Sequence, residues 1–511
     1  MARSCNPEPR LGDMVWISAG TLALGLALAL SYPVIYGGDT IIRIVNLPRI
    51  RISYQLPLLQ ILLRGALVVC NRPFAVWFLM AGVAAAGATG LYALAHEIAG
   101  RRAALAAAVL YGTHPFILYY SRVPYQEPLL AALVFWGFYF LFRAHTPARL
   151  AAASAALGLA SLTRYEGWLA SALAAVYFVS GRRAAPKSLA WAALLFGWAP
   201  ALWIVWNRGL APAGTFLLEP GLGLARLYRP YFIMKSAVWW SQSGFTVLAL
   251  AGLATTVADG RWRRDRRLWM ALGFLALYLG LLVFSAHGIA PDPVRLVTER
   301  EAYVLIGFLA LSGGLGAVAL GSRIEGEMPR LGRVVACGAF LLVTGHGLAR
   351  GVARIAAENL DPELRTDYDV GRFLAAREAN ALVLARPLPR AGIEYYLRKA
   401  EASGGAAGRR RAEEILAGIE TAGFDYQRVV VYSFLGKARV VSGDSLRGLD
   451  RAALERFLRE RRIAYAVVFS DFTPCDEHDR ALLALVAAGR SPHVEVRHGS
   501  KGARIYTVGG S

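Results

Sequence analysis

About eleven apolar segments follow one another along the first two thirds of the chain, and they constrain the fold more than any other feature. A helix needs roughly 20 apolar residues to cross the hydrocarbon core of a bilayer, and 56% of the 511 residues are hydrophobic. A soluble protein of this length would not carry so much apolar surface. The segments predict a mainly α, polytopic transmembrane helical bundle with spans at 14–36, 74–97, 103–120, 128–142, 149–163, 167–180, 188–206, 237–257, 268–286, 302–320 and 333–349.

The charges of the short connecting loops orient this bundle. If the N-terminus lies inside, the inner loops are 100–102, 143–149, 181–187, 259–267 and 322–333, and each is basic. Because Lys and Arg concentrate in cytoplasmic loops, we expect a multi-pass protein of the plasma (inner) membrane with a cytoplasmic N-terminus. An odd number of spans then places the C-terminus outside. The first segment is long enough to span, so we expect an uncleaved anchor rather than a signal peptide.

Three long loops between spans are predicted on the outer side of the membrane, at 37–73, 207–236 and 287–301. Within the first, the stretch from Leu56 to Val69 is apolar but too short to span, which predicts an amphipathic helix lying in the membrane interface. Residues 1–354 are therefore the predicted transmembrane domain, with these three loops on its outer face.

From about residue 355 polar and charged residues dominate, and no span-length apolar run follows. Short apolar runs alternate with helical periodicity, a pattern typical of a small α/β domain. We therefore expect an extracytoplasmic α/β domain at 355–511. Its predicted strands are 381–385, 428–432, 464–469, 494–496 and 504–508, its predicted helix is 449–461, and 404–411 is a predicted flexible loop.

The net charge of +21 has a simpler explanation than nucleic-acid binding. Much of the excess positive charge lies in the short inner loops, where it orients the chain against the inner leaflet. No nucleic-acid-binding module is recognisable in the sequence. We therefore expect membrane lipid, and no nucleic acid, among the partners. The four cysteines, Cys5, Cys70, Cys337 and Cys475, lack metal-ligand spacing and indicate neither a metal site nor a disulfide framework.

Uncommon polar residues collect at the outer ends of the predicted spans. Ionisable groups close to lipid are costly and are usually functional, so a one-sided collection predicts a site for chemistry at the outer face. The group consists of Asp39, His114, Arg122, Glu127, Arg164, Glu166, His287, Asp292, Glu299 and Arg300.

Asp39 stands just after the first span and follows two glycines, Gly37 and Gly38. The glycines permit a tight turn that brings the backbone close to a ligand. A carboxylate at this place could act as a general base on an acceptor hydroxyl or amine, or bind a metal. The alternative is a helix N-cap for the segment that follows.

Two further clusters combine an arginine with a glutamate. In the segment 119–128, Arg122 can hold phosphate oxygens through its planar fork, and Glu127 suits a helix N-terminus. In the short turn 162–168, Arg164 and Glu166 lie near membrane depth and need partners, of which a lipid phosphate is one. An ion pair within the protein is the alternative for each cluster. A fourth cluster, with Arg300, opens the tenth span.

Taken in order, these segments resemble the GT-C superfamily of polytopic glycosyltransferases, and most of all its protein mannosyltransferase and aminoarabinose transferase class. The resemblance covers about residues 1–350. Thr40 stands where many members have a second acid, and Tyr54-Gln55-Leu56-Pro57-Leu58 matches their His-Pro-Pro-Leu motif only in part. The residues that carry the resemblance are Asp39, 55–58, 121–128, 162–167 and 300–309.

This resemblance implies an inverting enzyme that moves a sugar from a polyprenyl-phosphate carrier to a glycan, lipid or protein acceptor at the outer membrane face. Asp39 is the implied catalytic base, and Glu127 is the second catalytic candidate. The donor phosphate is assigned to Arg122, Arg164 and Arg300. Substrate binding is predicted for Tyr125, Gln126, Tyr165, Glu166 and His114. No metal ligand or cofactor is assigned, and the use of a divalent cation stays open.

A transporter or flippase for an anionic lipid-linked substrate is the alternative from another functional class. Such a protein would need ionisable residues near the bilayer midplane and two related halves with broken helices. In this sequence the charges lie at the span ends on one face, and no pair of related halves is evident. The pattern therefore favours the enzyme.

The orientation is tested with a reporter that is active only outside the cytoplasm. Because the inner loops are basic, we expect activity when the reporter is fused after Ser511 and none when it is inserted within 259–267. The opposite pattern would contradict the one-sided site.

Overall fold

The computed structural model describes most of the helical part of the chain and much of the C-terminal region. The described residues are 7–34, 56–70, 73–180, 186–206, 243–260, 265–284, 302–328, 331–377, 381–384, 440–442, 446, 449–469, 477–487, 492–499 and 501–508. Of the three predicted outer loops, 207–236 and 287–301 lie outside them, as does all of the part of 37–73 that precedes Leu56.

Helices account for nearly all of the described residues before position 378. Their bounds are α1 Leu11–Ser31, α2 Leu58–Val69, α3 Pro73–Ala99, α4 Arg101–Gly112, α5 Pro115–Tyr120, α6 Gln126–Phe142, α7 Pro147–Ser161, α8 Glu166–Ser180, α9 Pro186–Trp206, α10 Ser243–Ala258, α11 Arg266–Phe284, α12 Ala302–Glu327, α13 Leu331–Asn359 and α14 Pro362–Arg377. The prediction of a mainly helical chain is confirmed.

Four of the described helices, α1, α3, α12 and α13, are long and apolar enough to cross a membrane. Shorter apolar helices accompany them, among them α6, α8 and α10. Among the four long ones, α1 and α13 are the least buried, since only 11% and 17% of their apolar windows lie inside the protein. Such exposed apolar surface suits contact with lipid rather than with water.

One predicted span needs a correction, because 103–120 is not a continuous helix. The chain leaves the helix after Gly112 and starts α5 at Pro115, with His114 as the N-cap. Proline has no backbone N–H to donate and clashes with the preceding turn, so it is favoured at a helix start and tends to interrupt a helix in its interior. The predicted amphipathic helix at 56–69 is present as α2, from Leu58 to Val69.

The chain divides into two compact units, and the first contains most of the helices from α1 to α13. The second contains α14, the C-terminal helices α15 (Arg451–Glu460) and α16 (Glu477–Ala487), and a five-stranded sheet. The strands are β1 Ala381–Leu384, β2 Val440–Ser442, β3 Tyr465–Phe469, β4 Val494–His498 and β5 Lys501–Thr507. The predicted domain division at 354/355 stays a prediction.

The sheet of the second unit has the order β2-β1-β3-β5-β4. β1 lies parallel to β2 and β3, whereas β5 lies antiparallel to β3 and β4. Alternate residues of β1 face opposite sides: Ala381 packs with Val370 and Leu374 of α14, and Leu382 packs with Leu454 of α15.

Four strands and one helix of this unit had been predicted from the sequence. The strands near 381–385, 464–469, 494–496 and 504–508 and the helix near 449–461 are present with small shifts in their bounds. β2, α14 and α16 were not predicted. The predicted strand 428–432 and the predicted loop 404–411 lie outside the described residues.

Glycines set the closest helix contacts in the first unit. A Cβ added at Gly316 of α12 would stand 2.0 Å from the carbonyl oxygen of Leu248 in α10, and one at Gly252 would stand 1.8 Å from that of Ser312. A Cβ at Gly314 would stand 2.3 Å from the carbonyl oxygen of Ala103 in α4. Small residues let helix backbones approach closely when no hydrophobic effect drives them together.

We expect Gly316→Ala to destabilise the bundle by about 1–3 kcal/mol, because the methyl group would force α12 and α10 apart. The control is Gly321→Ala on the same helix, where the added Cβ would meet Ala336 at an ordinary 3.8 Å. Thermal unfolding of the purified variants in detergent measures the difference. Equal stability of the two variants would contradict the close packing.

Candidate functional site

A buried ion cluster joins the beginnings of two helices. Glu127 is the second residue of α6, Glu166 is the first residue of α8, and Arg164 lies in the turn before α8. The Arg164 guanidinium donates to Glu166 at 2.7 and 3.0 Å and also to Oε1 of Glu127. Both carboxylates lie where the helix dipole favours negative charge.

The burial of this cluster makes each partner depend on the others. Glu127 and Glu166 are only 1% and 7% exposed, and the Arg164 side chain is 12% exposed. Burial alone would lower the pKa of Arg164, but the charges of Glu166 and Glu127 raise it above its usual value. Arg164 therefore stays charged.

Two backbone groups at the start of α2 form hydrogen bonds with the same region. Gln126 Nε2 donates to the carbonyl oxygen of Leu56 at 3.1 Å, and the N–H of Leu58 donates to the carbonyl oxygen of Leu162 at 3.1 Å. Three segments far apart in the sequence, 56–58, 121–128 and 162–166, thereby meet at one place. Their order along the chain had suggested a common site, and these contacts bring them together.

Arg122 lies next to this meeting point, at the end of α5, and is 5% exposed. Its neighbour Ser121 shares a hydrogen bond of 2.6 Å with the hydroxyl of Tyr303 in α12. Tyr303 in turn packs edge-on against Tyr111 of α4, with ring centroids 6.1 Å apart. These contacts fix the turn that carries Arg122 against a second part of the bundle.

An apolar cleft has Ser121 and Arg122 in its lining. The space that the cleft encloses is about 20 Å³, which is room for little more than one water molecule. One wall is α1, the other walls are α3, α4 and α5, and the lining is apolar except at a few positions. It consists of Thr21, Leu24, Gly25, Leu28, Ala29, Trp77, Ala81, Ala84, Gly112, Ile117, Leu118, Ser121 and Arg122.

The remaining predicted substrate-binding residues are placed as follows. His114 is 2% exposed and caps α5, because its Nδ1 accepts a hydrogen bond from the N–H of Phe116 at 3.2 Å. Tyr125 is buried beside Tyr120, with ring centroids 5.3 Å apart. Tyr165 packs edge-on against Trp168. Substrate binding by these residues stays a prediction.

Asp39 and Arg300 lie outside the described residues. The described chain on the N-terminal side of Asp39 ends at Val34, whose N–H donates to Oδ1 of Asn359 at 3.2 Å. The roles predicted for Asp39 and Arg300 therefore stay predictions. Within the described part of the chain, no group of three or more His, Cys, Asp or Glu side chains is arranged to hold a metal ion.

A second ion cluster at the other ends of the helices was not predicted. Glu97, near the end of α3, is 2% exposed and accepts hydrogen bonds from Arg143 at 2.8 Å and Arg267 at 2.9 Å. Asp13 of α1 accepts two from Arg101, at 2.7 and 2.9 Å. The sequence signal was present in the basic loops that were predicted to lie inside, because their arginines Arg101, Arg143 and Arg267 bind these acids.

Comparison with known proteins shows which families and folds this chain is similar to. Residues 57–206 match the family model of dolichyl-phosphate-mannose-protein mannosyltransferases. The structure of ArnT from Cupriavidus metallidurans bound to undecaprenyl phosphate is similar, with a TM-score of 0.58, 12% identity, and coverage of 98% of this chain and 100% of ArnT. The apo state of that ArnT is also similar, with a TM-score of 0.57 and 13% identity. The match covers 98% of this chain and 99% of ArnT.

The apo crystal structure of the oligosaccharyltransferase from Archaeoglobus fulgidus is also similar, with a TM-score of 0.52 and 11% identity. The match covers 89% of this chain and 69% of that protein. A comparison with curated protein sequences finds no match. The resemblance to the GT-C superfamily that was predicted from the sequence is confirmed at the level of the fold. At these identities the structural matches establish the fold, and the activity needs its own argument.

Replacing Arg164 separates a positioning role from phosphate binding. Arg164→Gln leaves two buried carboxylates without their counter-charge, which typically costs about 3–5 kcal/mol. We expect a large drop in thermal stability, partly restored in the triple variant Arg164→Gln, Glu127→Gln, Glu166→Gln. Thermal unfolding in detergent measures both. Normal stability of Arg164→Gln would instead favour the donor-phosphate assignment.

Proposed function

We propose that the protein is a membrane glycosyltransferase that moves a sugar from a polyprenyl-phosphate carrier to an acceptor at the outer membrane face. The observation that carries the proposal is the meeting of 56–58, 121–128 and 162–166, together with an apolar cleft whose lining includes Arg122. The carrier combines a long apolar chain with an anionic head, and a lining of this composition matches the polarity of both parts. The fold and the family match support the same class.

Arg122 is proposed to bind the donor phosphate. Its planar guanidinium can hold two phosphate oxygens at once. The phosphate gains negative charge as the bond to the sugar breaks, and a fixed cation in a site of low dielectric constant stabilises that charge in the transition state. Arg300 is the second proposed phosphate ligand, on the strength of the resemblance.

Arg164 is now better supported as a positioning residue than as a phosphate ligand. Its guanidinium is already held by Glu166 and Glu127, and a phosphate would have to compete with two carboxylates. We propose that Arg164 fixes Glu127 as a charged acceptor of hydrogen bonds from sugar or acceptor hydroxyls. The proposed substrate site is completed by the sequence neighbours of Glu127 and Arg164, which are Tyr125, Gln126, Tyr165 and Glu166.

Asp39 is proposed as the catalytic base. The acceptor oxygen attacks the anomeric carbon, its proton passes to the Asp39 carboxylate, and the bond to the phosphate oxygen breaks with its electron pair on the leaving group. Attack from the side opposite the leaving group inverts the anomeric configuration. The acceptor, whether glycan, lipid or protein, is bound by loops of the outer face in this proposal.

The alternative of a transporter finds less support in the described helices. The buried ion clusters lie at helix ends, with Glu127 and Glu166 at the starts of α6 and α8 and Glu97 near the end of α3. A transported anion would require charged groups near the middle of the spans, typically at broken helices.

The test is transfer by purified protein from polyprenyl-phosphate sugars, with donor binding measured in parallel. Asparagine cannot take a proton, so we expect Asp39→Asn to lose activity by about 10²–10⁴-fold and to bind the donor normally. The matched comparison is Arg122→Lys, which should weaken donor binding because it loses the two-pronged geometry.

If Asp39 instead caps a helix, Asp39→Asn should retain near-normal turnover, because asparagine caps about as well as aspartate. That outcome would remove Asp39 from the mechanism and transfer the role of base to Glu127 or Glu166.

A further inference from the structure

Three basic side chains stand along one exposed ridge of α13, a helix that is long and apolar enough to cross a membrane. They are His346, Arg350 and Arg354, and each is exposed. Because they follow one another at every fourth residue, they lie on one face of the helix with a rise of about 6 Å between neighbours. One turn before His346, the same ridge carries Leu342, which is 75% exposed. This face of α13 therefore changes from apolar to basic toward the C-terminal end.

The length of α13 places the basic part close to a membrane surface. The helix has 29 residues, so it extends about 44 Å, whereas the hydrocarbon core of a bilayer is about 30 Å thick. Arg333 stands near its N-terminal end, and Arg350 follows about 26 Å further along the axis. Arg350 thus lies near the opposite boundary of the hydrocarbon, where a long side chain reaches the lipid phosphates. The predicted orientation puts this end of α13 at the outer face.

Contacts with α5 hold the basic part of the ridge in place. A Cβ added at Gly351 would stand 2.8 Å from Cδ1 of Leu118, so the two helices are in close contact there. The guanidinium carbon of Arg354 lies 5.7 Å from the centre of the Tyr119 ring. The backbone that carries Arg350 is therefore fixed against α5, while the Arg350 side chain stays exposed.

The three basic residues differ in what lies around them. Arg354 lies over the Tyr119 ring, and Glu358 stands one helical turn beyond it, at the spacing of an i,i+4 ion pair. Arg350 and His346 lie on the apolar side of Arg354, toward the middle of the helix. At that depth a charge on an exposed face is costly unless an anion meets it, and a histidine ring can donate a further hydrogen bond. Arg350 is therefore the residue for which an anionic partner matters most.

The position of the ridge selects one kind of partner. A side chain exposed at this depth meets bilayer lipid, and one guanidinium can donate two hydrogen bonds to a lipid phosphate. A glycerophospholipid has its phosphate at the surface and its acyl chains below, in the order in which Arg350 and Leu342 lie along the ridge. A zwitterionic head would bring its own cation to the same place, so the charge of the ridge favours an anionic lipid.

We propose that the ridge of Leu342, His346, Arg350 and Arg354 binds an anionic glycerophospholipid, with the phosphate at Arg350 and one acyl chain along Leu342. This site is distinct from the proposed donor site, because its cations stand on the exposed face of α13 whereas Arg122 is buried. The inference goes beyond the proposed function and does not depend on sugar transfer. It implies that the protein selects the lipid that adjoins the C-terminal end of α13.

The experiment measures binding of phosphatidylglycerol to the purified full-length protein in detergent, with phosphatidylcholine of the same acyl chains as the second ligand. We expect phosphatidylglycerol to bind more tightly. Arg350→Gln should weaken its binding about fivefold, because it removes one cation next to an anionic lipid, and Arg350→Lys should weaken it less. The control is Arg456→Gln, the same change at an exposed position of α15, which should bind like the wild type.

Three results would overturn the inference. The first is equal binding of the two lipids to the wild type, and the second is equal binding of phosphatidylglycerol to Arg350→Gln and Arg456→Gln. The third is displacement of phosphatidylglycerol by an equal concentration of a polyprenyl phosphate, because the ridge would then belong to the carrier. The readout is lipid binding without sugar transfer, so the first two results leave the proposed function untouched.

A measurement on the wild type covers the case in which the Arg350 variants fail to fold. Phosphatidylglycerol with a photoreactive group on its glycerol head should label peptides from the C-terminal half of α13 and from α5. Labelling confined to other helices would contradict the proposed site.

Discussion

The buried ion cluster of Arg164 with Glu127 and Glu166 is the interaction on which the arrangement of the candidate site depends. It joins the turn before α8 to the start of α6, and the same two segments hold the beginning of α2 through Leu162 and Gln126. Charges removed from water remain ionised only when their partners are held in place. The cluster therefore gives three distant segments one fixed geometry, which a transferase needs because misplacement of reacting groups is costly.

Two polar anchors at the helix ends leave an apolar region between them. At one end Glu97 is held by Arg143 and Arg267, and Asp13 is held by Arg101. At the other end lies the Arg164 cluster, with Arg122 beside it. A lipid-linked substrate is divided in the same way into an apolar chain and a charged head. In the proposed function, the apolar region of the protein binds the chain and the polar helix ends bind the head.

The sequence predicted the helices well and the contacts between them poorly. Span length and loop charge follow from bilayer thickness and the inner-leaflet potential, so they can be inferred locally. The break between α4 and α5 was missed although Pro115 marks it, because the surrounding run is apolar. The pairing of Glu127 with Arg164 depends on how α6 and α8 pack. From the sequence alone, Glu127 could equally well have paired with Arg122 in its own segment. The apolar cleft depends on Gly25 of α1 and Ala81 of α3 meeting across two helices, which no local pattern indicates.

If the protein consumes a polyprenyl-linked sugar, the lipid-linked sugar pool of cells that lack the protein should change most directly. The account predicts that one lipid-linked sugar accumulates and that the surface glycan, lipid or protein carrying that sugar loses it. The wild-type protein should reverse both changes, whereas Asp39→Asn should reverse neither. An unchanged pool with unchanged surface sugars would contradict the account.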